Sequence, residues 1–330
     1  MDSQALVSTS TSTQLSPSPQ TLQRSGKEVE GCSRNWLELP PDVTASILLR
    51  LGAIEILTSA QVVCSTWRAI CKEPSMWRSI DMHNLGDLWG MDYDLEKMCR
   101  HAVDRSSSGL IDINIEYFGT DDLLHHIFDR SRHLKRLRLV SCYNISDEGL
   151  SAVAAKAPLL EELEISYCSF SKETYEVVGR CCPLLKTFKL NCQGCIFPGV
   201  DIDCDEEALA IAGNMPELRH LQIFGNQLTN NGLQAILDGC PHLESLDLRQ
   251  CFNVTLDGSL SKLCAERIKD LRRPYDSTDD YPFDPEVPEQ SPAGGSRSST
   301  SVPYLDFLSD YNDDDHGYSD DDYNQMYYDY

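Results

Sequence analysis

Leu134-Lys135-Arg136-Leu137-Arg138-Leu139-Val140-Ser141-Cys142 and LEELEISYC, from Leu160 to Cys168, share one spacing, and that spacing decides the fold. Each stretch opens on Leu and places an apolar residue three and five positions later. The offsets return in LKTFKLNCQ from Leu185, LRHLQIFGN from Leu218 and LESLDLRQC from Leu243. The five starts are separated by 26, 25, 33 and 25 residues. A weaker unit, Leu110, Ile113 and Ile115, lies 24 residues upstream of Leu134, and Trp77, Ile80 and Met82 keep the same offsets as a degenerate first strand. Apolar residues alternating with polar ones predict a short strand with one buried face. A hydroxyl or carboxylate residue then precedes an apolar one by four, as in Thr120/Leu124, Ser146/Leu150, Ser171/Tyr175, Asp205/Leu209 and Thr229/Leu233. That is a helix cap followed by a first buried turn. Pro158, Pro183, Pro216 and Pro241 stand two residues before the last four starts and end each helix.

This unit resembles the leucine-rich repeat in its longer, cysteine-containing form. The resemblance implies an α/β solenoid with parallel strands on the concave face and helices on the convex face.

The segment before the repeats, residues 36–81, reads WLELPPDVTASILLRLGAIEILTSAQVVCSTWRAICKEPSMWRSID. Pro fits the first turn of a helix after Leu39. Ile47, Leu48 and Leu51 follow at helical spacing, as do Val63, Trp67 and Ile70. A helical unit of this size is marginal alone and calls for a partner surface. The segment resembles the F-box: Leu39-Pro40, then ILLRL, the pair Ile56-Leu57, VCSTWR from Val63 and a closing MWRSID. The order F-box then repeats is similar to the F-box/leucine-rich-repeat class, and the wording most resembles its plant members of the SKIP19 type. The resemblance implies that Leu39, Pro40, Ile47, Leu48, Leu51 and Val63 face the Skp-type adaptor of a Skp–cullin–F-box ubiquitin ligase, and through it a cullin. Trp67 is expected to pack the motif against the repeats.

The 330 residues carry 28 Lys+Arg against 52 Asp+Glu, a formal charge of −24. Residues 276–330 hold 15 acids and one base, Arg297, leaving −10 for the rest. Such a balance argues against nucleic acid or an anionic membrane as a partner. No apolar run is long enough to span a bilayer, and the Ser/Thr-rich start lacks the features of a secretory signal. The 14 cysteines are therefore read as reduced thiols in the nucleus and/or cytoplasm. The expected organisation is a disordered Ser/Thr/Gln-rich tail over 1–34, an F-box over 35–82, repeats over 83–273, and a disordered acidic, Tyr-rich tail over 274–330.

Within the repeats, the strand residues flanking the buried pair point to the concave face. Arg136 then neighbours Asp112 and Glu162, and Arg138 neighbours Glu164, a ladder that neutralises itself. The second half is expected to be less self-paired, with Phe224 exposed beside cations. Substrate contacts are accordingly assigned to Lys189, His220, Gln222, Phe224 and Arg249. Phe197 in the long insertion 192–204 is a further candidate, against the alternative that it tucks onto the solenoid edge.

Cys142, Cys168 and Cys251 fall eight residues after their repeat starts and read as buried turn-closers, whereas Cys192-x-x-Cys195 with Cys181, Cys182 and Cys204 matches no standard zinc spacing. No cofactor, metal or catalytic constellation is assigned. The reading is a non-catalytic receptor that holds a protein for ubiquitination. The alternatives are an F-box scaffold acting outside a ligase, and an enzyme or metal protein using the insertion.

Overall fold

The computed structural model describes residues 39–84, 86, 93–192 and 205–283. Eight parallel strands form one sheet in strict sequence order, β1 to β8. They are β1 (Ser79–Met82), β2 (Asp112–Glu116), β3 (Arg136–Val140), β4 (Glu162–Ser166), β5 (Thr187–Asn191), β6 (His220–Gln222), β7 (Ser245–Asp247) and β8 (Asp270–Arg272). The register aligns the repeats as their sequences align, with Ile113, Leu137, Leu163, Phe188, Leu221, Leu246 and Leu271 in one row. All of that row but Leu271 is buried, at 2% exposure or less. Each such side chain contributes roughly 1.5–3 kcal/mol through removal from water.

One helix follows each strand from β1 to β7: α5 (Leu95–Arg105), α6 (Asp121–Arg130), α7 (Asp147–Ala154), α8 (Lys172–Cys181), α9 (Glu206–Asn214), α10 (Asn230–Gly239) and α11 (Gly258–Arg267). The caps expected from sequence are the caps observed. Thr120, Ser146 and Thr229 accept backbone N–H groups of their own helices. Ser171 and Asp205 occupy the cap positions of their helices without such a bond.

Asp121 accepts the N–H (2.8 Å) and hydroxyl (2.6 Å) of Ser146, one repeat on. Asp147 does the same for Ser171, and Asp205 for Thr229. Each carboxylate near a helix start thus fixes the cap of the next helix. Gly149 and Gly232 make room for it, since a Cβ at either position would stand 1.9 or 2.3 Å from the carboxylate of Asp121 or Asp205.

Strand exits are equally regular. The residue seven positions after each repeat start has positive φ in Tyr117, Ser141, Tyr167, Gly225 and Gln250. Its N–H bonds a carbonyl of the next repeat, as in Tyr167 to Asn191 (2.9 Å). The turn then sends the next side chain inward. Cys142 Sγ donates to the Phe118 carbonyl at 3.0 Å and Cys251 Sγ to that of Ile223 at 2.7 Å, the turn-closing role expected of them. Burial pushes the Cys99 and Cys182 thiols up to about 12 and Cys240 up to about 11, so all three are neutral core groups at pH 7.

β1 is the degenerate first strand expected from Trp77, Ile80 and Met82; it lies within 35–82, so the last residues of the helical unit pair with β2 in the sheet. Two features differ from the sequence expectation. One is an eighth strand, β8, whose repeat starts at Ile268, 25 residues after Leu243. The other is at the carboxyl end. Residues 274–283, assigned to a disordered tail, fold back onto the strands, with Pro274 and Tyr281 buried. Residues 1–34, 284–330 and the insertion with Phe197, Cys195 and Cys204 lie outside the described residues. Among the described residues, no helix is long and apolar enough to cross a membrane.

Candidate functional sites: a helical docking unit and the concave face

The first site is built on α1 (Pro41–Leu48), the run α2 (Ala53–Glu55), Ile56–Ala60 and α3 (Gln61–Val63), and α4 (Ser65–Cys71). Pro41 starts α1, where its missing N–H costs nothing. Thr44 and Leu48, four residues apart, form the inner face of α1. Ala53, Ile54, Ile56, Leu57 and Ala60 add to the same core. Leu48 is 1% exposed, which corrects its assignment to the outward face. The reason is helical phase: one residue past Ile47 rotates the side chain by about 100°, from the surface into the core.

The other five residues of that set differ in exposure. Leu39 and Ile47 are half-buried, Pro40 is exposed, Leu51 is 40% exposed and Val63 61%. Val43 and Val62 belong with them and were missed, although Val43 stands midway in the four-residue series Leu39, Val43, Ile47. The unit therefore presents a cluster of large apolar side chains to solvent. An exposed cluster of this kind, on helices with a complete core of their own, marks an interaction surface.

Trp67 is half-buried against the core, as expected, but Trp77 is the larger joint. Trp77 is fully buried, donates its indole N–H to the Cys71 carbonyl at 2.8 Å and has the Arg105 guanidinium of α5 over its ring at 5.5 Å.

The second site is the concave face. Parallel sheets are ordinarily covered on both faces; here helices cover one, and the other carries polar rows. The expected ladder is present. Arg136 pairs with Asp112 at 3.0 Å, and Arg138 with Glu164 at 3.0 Å. Lys189 was expected on the unpaired half but joins the ladder, 3.0 Å from Glu164 and 3.6 Å from Glu162. Glu164 is nearly buried and needs both cations plus the Ser166 hydroxyl to offset its lost hydration.

Lys189, His220, Gln222 and Arg249 do converge, around an open depression of about 240 Å³. Phe224 does not stand exposed beside it, a further correction. Its exposure is 1% because Tyr281 lies over it, ring centroids 3.7 Å apart and planes 3° from parallel. Arg249 is covered as well. Its Nε and Nη2 grip Asp247 (3.0 and 2.7 Å), while Nη1 donates to the Ser277 carbonyl (3.0 Å) and to Asp280. These bonds hold the Asp280 carboxyl below its usual range and the Arg249 guanidinium above its own. Two cations at and just after the end of α11 are held by the solenoid. Arg267 binds the carbonyls of Leu237 and Cys240 at the end of α10, and Lys269 pairs with Glu244 at 2.6 Å.

A small helical unit with an outward apolar cluster, fused through a shared strand to a solenoid of cysteine-closed repeats, defines the class: an F-box followed by leucine-rich repeats. An F-box-like family profile matches residues 36–83, and a leucine-rich-repeat profile matches 130–154 and 215–237. The F-box protein SKIP19 of Arabidopsis thaliana is 59% identical over 250 residues, covering 76% of this chain and 80% of that protein. F-box/LRR-repeat protein 23 of the same plant is 61% identical over 247 residues, 74% of this chain and 55% of the relative's length. The chain belongs to the F-box/leucine-rich-repeat family of plants.

Proposed function

We propose that this chain is the substrate-recognition subunit of a Skp–cullin–F-box ubiquitin ligase, present in the nucleus and/or cytoplasm. The observation that carries the reading is the outward cluster of Pro40, Val43, Leu51, Val62 and Val63. Its inner counterpart, Thr44 and Leu48, already closes the unit's own core, so the cluster is free for a Skp-type adaptor. The F-box and SKIP names of the relatives agree with that partner.

On this reading the repeats hold a protein substrate on the concave face, at Lys189, His220 and Gln222, while the ligase performs the chemistry. The receptor contributes proximity: it raises the effective concentration of the substrate's lysines near the loaded conjugating enzyme. Continuity of β1 with β2 supports this, because a rigid joint fixes the distance between adaptor and substrate.

Affinity purification from plant cells tests the proposal. The wild-type chain should bring down adaptor and cullin together, and Leu39→Ala with Pro40→Ala should lose both. Adaptor without cullin would favour a scaffold acting outside the ligase.

A further inference from the structure

The segment Tyr275–Phe283 has no regular secondary structure, yet it runs back across the carboxyl ends of four strands. It begins where the solenoid pattern ends, with Gln250 N–H bonded to the Pro274 carbonyl at 2.9 Å. From there three side chains anchor it. Asp280 bridges Arg249 and Arg272, the latter at 3.1 Å. Tyr281 stacks on Phe224 and its hydroxyl meets that of Tyr167 at 3.1 Å. Phe283 meets Tyr167 edge-on at 5.3 Å. Between the anchors, Ser277, Asp279 and Pro282 are exposed.

Part of the receiving surface is fixed by the solenoid itself. Phe224 is the last concave residue of its repeat. Asp247 grips Arg249 through two nitrogens, so its third points out of the face in a fixed direction. A fixed guanidinium beside an aromatic floor selects a carboxylate next to a flat ring.

We propose that Tyr167, Phe224, Arg249 and Arg272 form a peptide-binding groove for an acidic–aromatic segment of a partner protein, with Asp-Tyr-x-Phe as its core, and that Asp280–Phe283 occupies it as an internal stand-in. Phe224 and Arg249 thereby act in recognition once the segment is displaced, and the adjoining depression at Lys189, His220 and Gln222 takes the residues that flank the motif. The proposal rests on the reading of the repeats as a protein receptor and names the chemistry that the receptor selects. Tethering gives the internal segment an effective concentration in the millimolar range, so a partner binds strongly only by outcompeting it or after its release.

A fluorescent peptide with the sequence of residues 275–284 tests this, titrated into the full chain without any adaptor. The wild type should bind weakly, and Asp280→Ala with Tyr281→Ala about ten-fold tighter or more. Adding Arg272→Ala to that variant should reduce binding again, and a peptide with Ala at the position of Tyr281 should not bind. Should the double variant fail to fold, Asp280→Asn alone should show the same gain at smaller size. Equal binding by wild type and variant, or none by a variant that melts like the wild type, would overturn the proposal and make the segment a cap on the solenoid. Because no adaptor is present, either result leaves the F-box reading to its own test.

Discussion

Asp280 bridges two arginines at neighbouring strand ends, Arg249 and Arg272, and among the described residues it is the one that ties the chain beyond β8 to the concave face by charge. Its geometry makes the segment's attachment dependent on a few anchors. The attachment should therefore open locally, well below the cost of unfolding the solenoid.

Tyr281→Ala removes the flat ring over Phe224. An aromatic pair of this kind contributes about 0.5–1.5 kcal/mol beyond the area it buries. Amide exchange of residues 277–283 should accelerate in this variant, while the amides of Leu221 and Leu246 keep their protection. Equal acceleration in both places would show that the segment and the sheet unfold as one.

The pH dependence follows from the Asp280 carboxyl, which Arg249 holds below the usual range. Attachment favours the anion, so this contribution is complete above the unfolded value of about 3.9 and fades as pH falls through the lower folded value. Protection of 277–283 should be unchanged from pH 8 to pH 5 and drop only in stronger acid. Asp280→Asn should remove that acid step. A transition between pH 7 and 5 would point to another group.

Leu48 and Val63 separate folding from docking. Leu48→Ala opens a cavity in the helical unit and should destabilise it by about 2–5 kcal/mol in urea. Val63→Asp changes an exposed position and should leave the urea midpoint within about 0.5 kcal/mol while abolishing adaptor binding. The opposite ranking would place Leu48 on the docking surface after all.

Two of the helical glycines, Gly149 and Gly213, should respond with opposite sign. Gly→Ala ordinarily gains about 0.4–1 kcal/mol where the site is open, and a Cβ at Gly213 meets nothing within 4 Å. At Gly149 the same change drives Asp121 from the Ser146 cap and should cost about 1–3 kcal/mol. Stabilisation by Gly149→Ala would show that the inter-helix carboxylate contributes little.

Most of the solenoid was legible because its strands, caps and cysteines recur at fixed offsets, and each offset has one physical cause. The eighth strand escaped because Arg273 stands where the pattern wants an apolar residue, although Ile268 and Leu271 keep the other two places. Helix α1 was legible as an amphipathic stripe, but the step from Ile47 to Leu48 depends on which of two adjacent apolar residues faces the core. The sequence alone does not order them. On the concave face, the placement of Lys189, His220, Gln222 and Arg249 was legible, and the exposure of Phe224 and Arg249 was not. Composition marked residues 274–330 as solvated, and nothing local in Asp-Asp-Tyr-Pro-Phe signals that Tyr281 stacks on Phe224, 57 residues earlier in the chain.

Direct titration of the full chain with a recombinant plant Skp-type adaptor bears most immediately on the receptor reading. The account predicts a one-to-one complex for the wild type. It also predicts at least a hundred-fold loss for Pro40→Ala with Val63→Asp, about 3 kcal/mol and within the range of an interface hot spot. The melting curve of that variant should be unchanged. No complex with the wild type, or equal affinity for the folded variant, would contradict it.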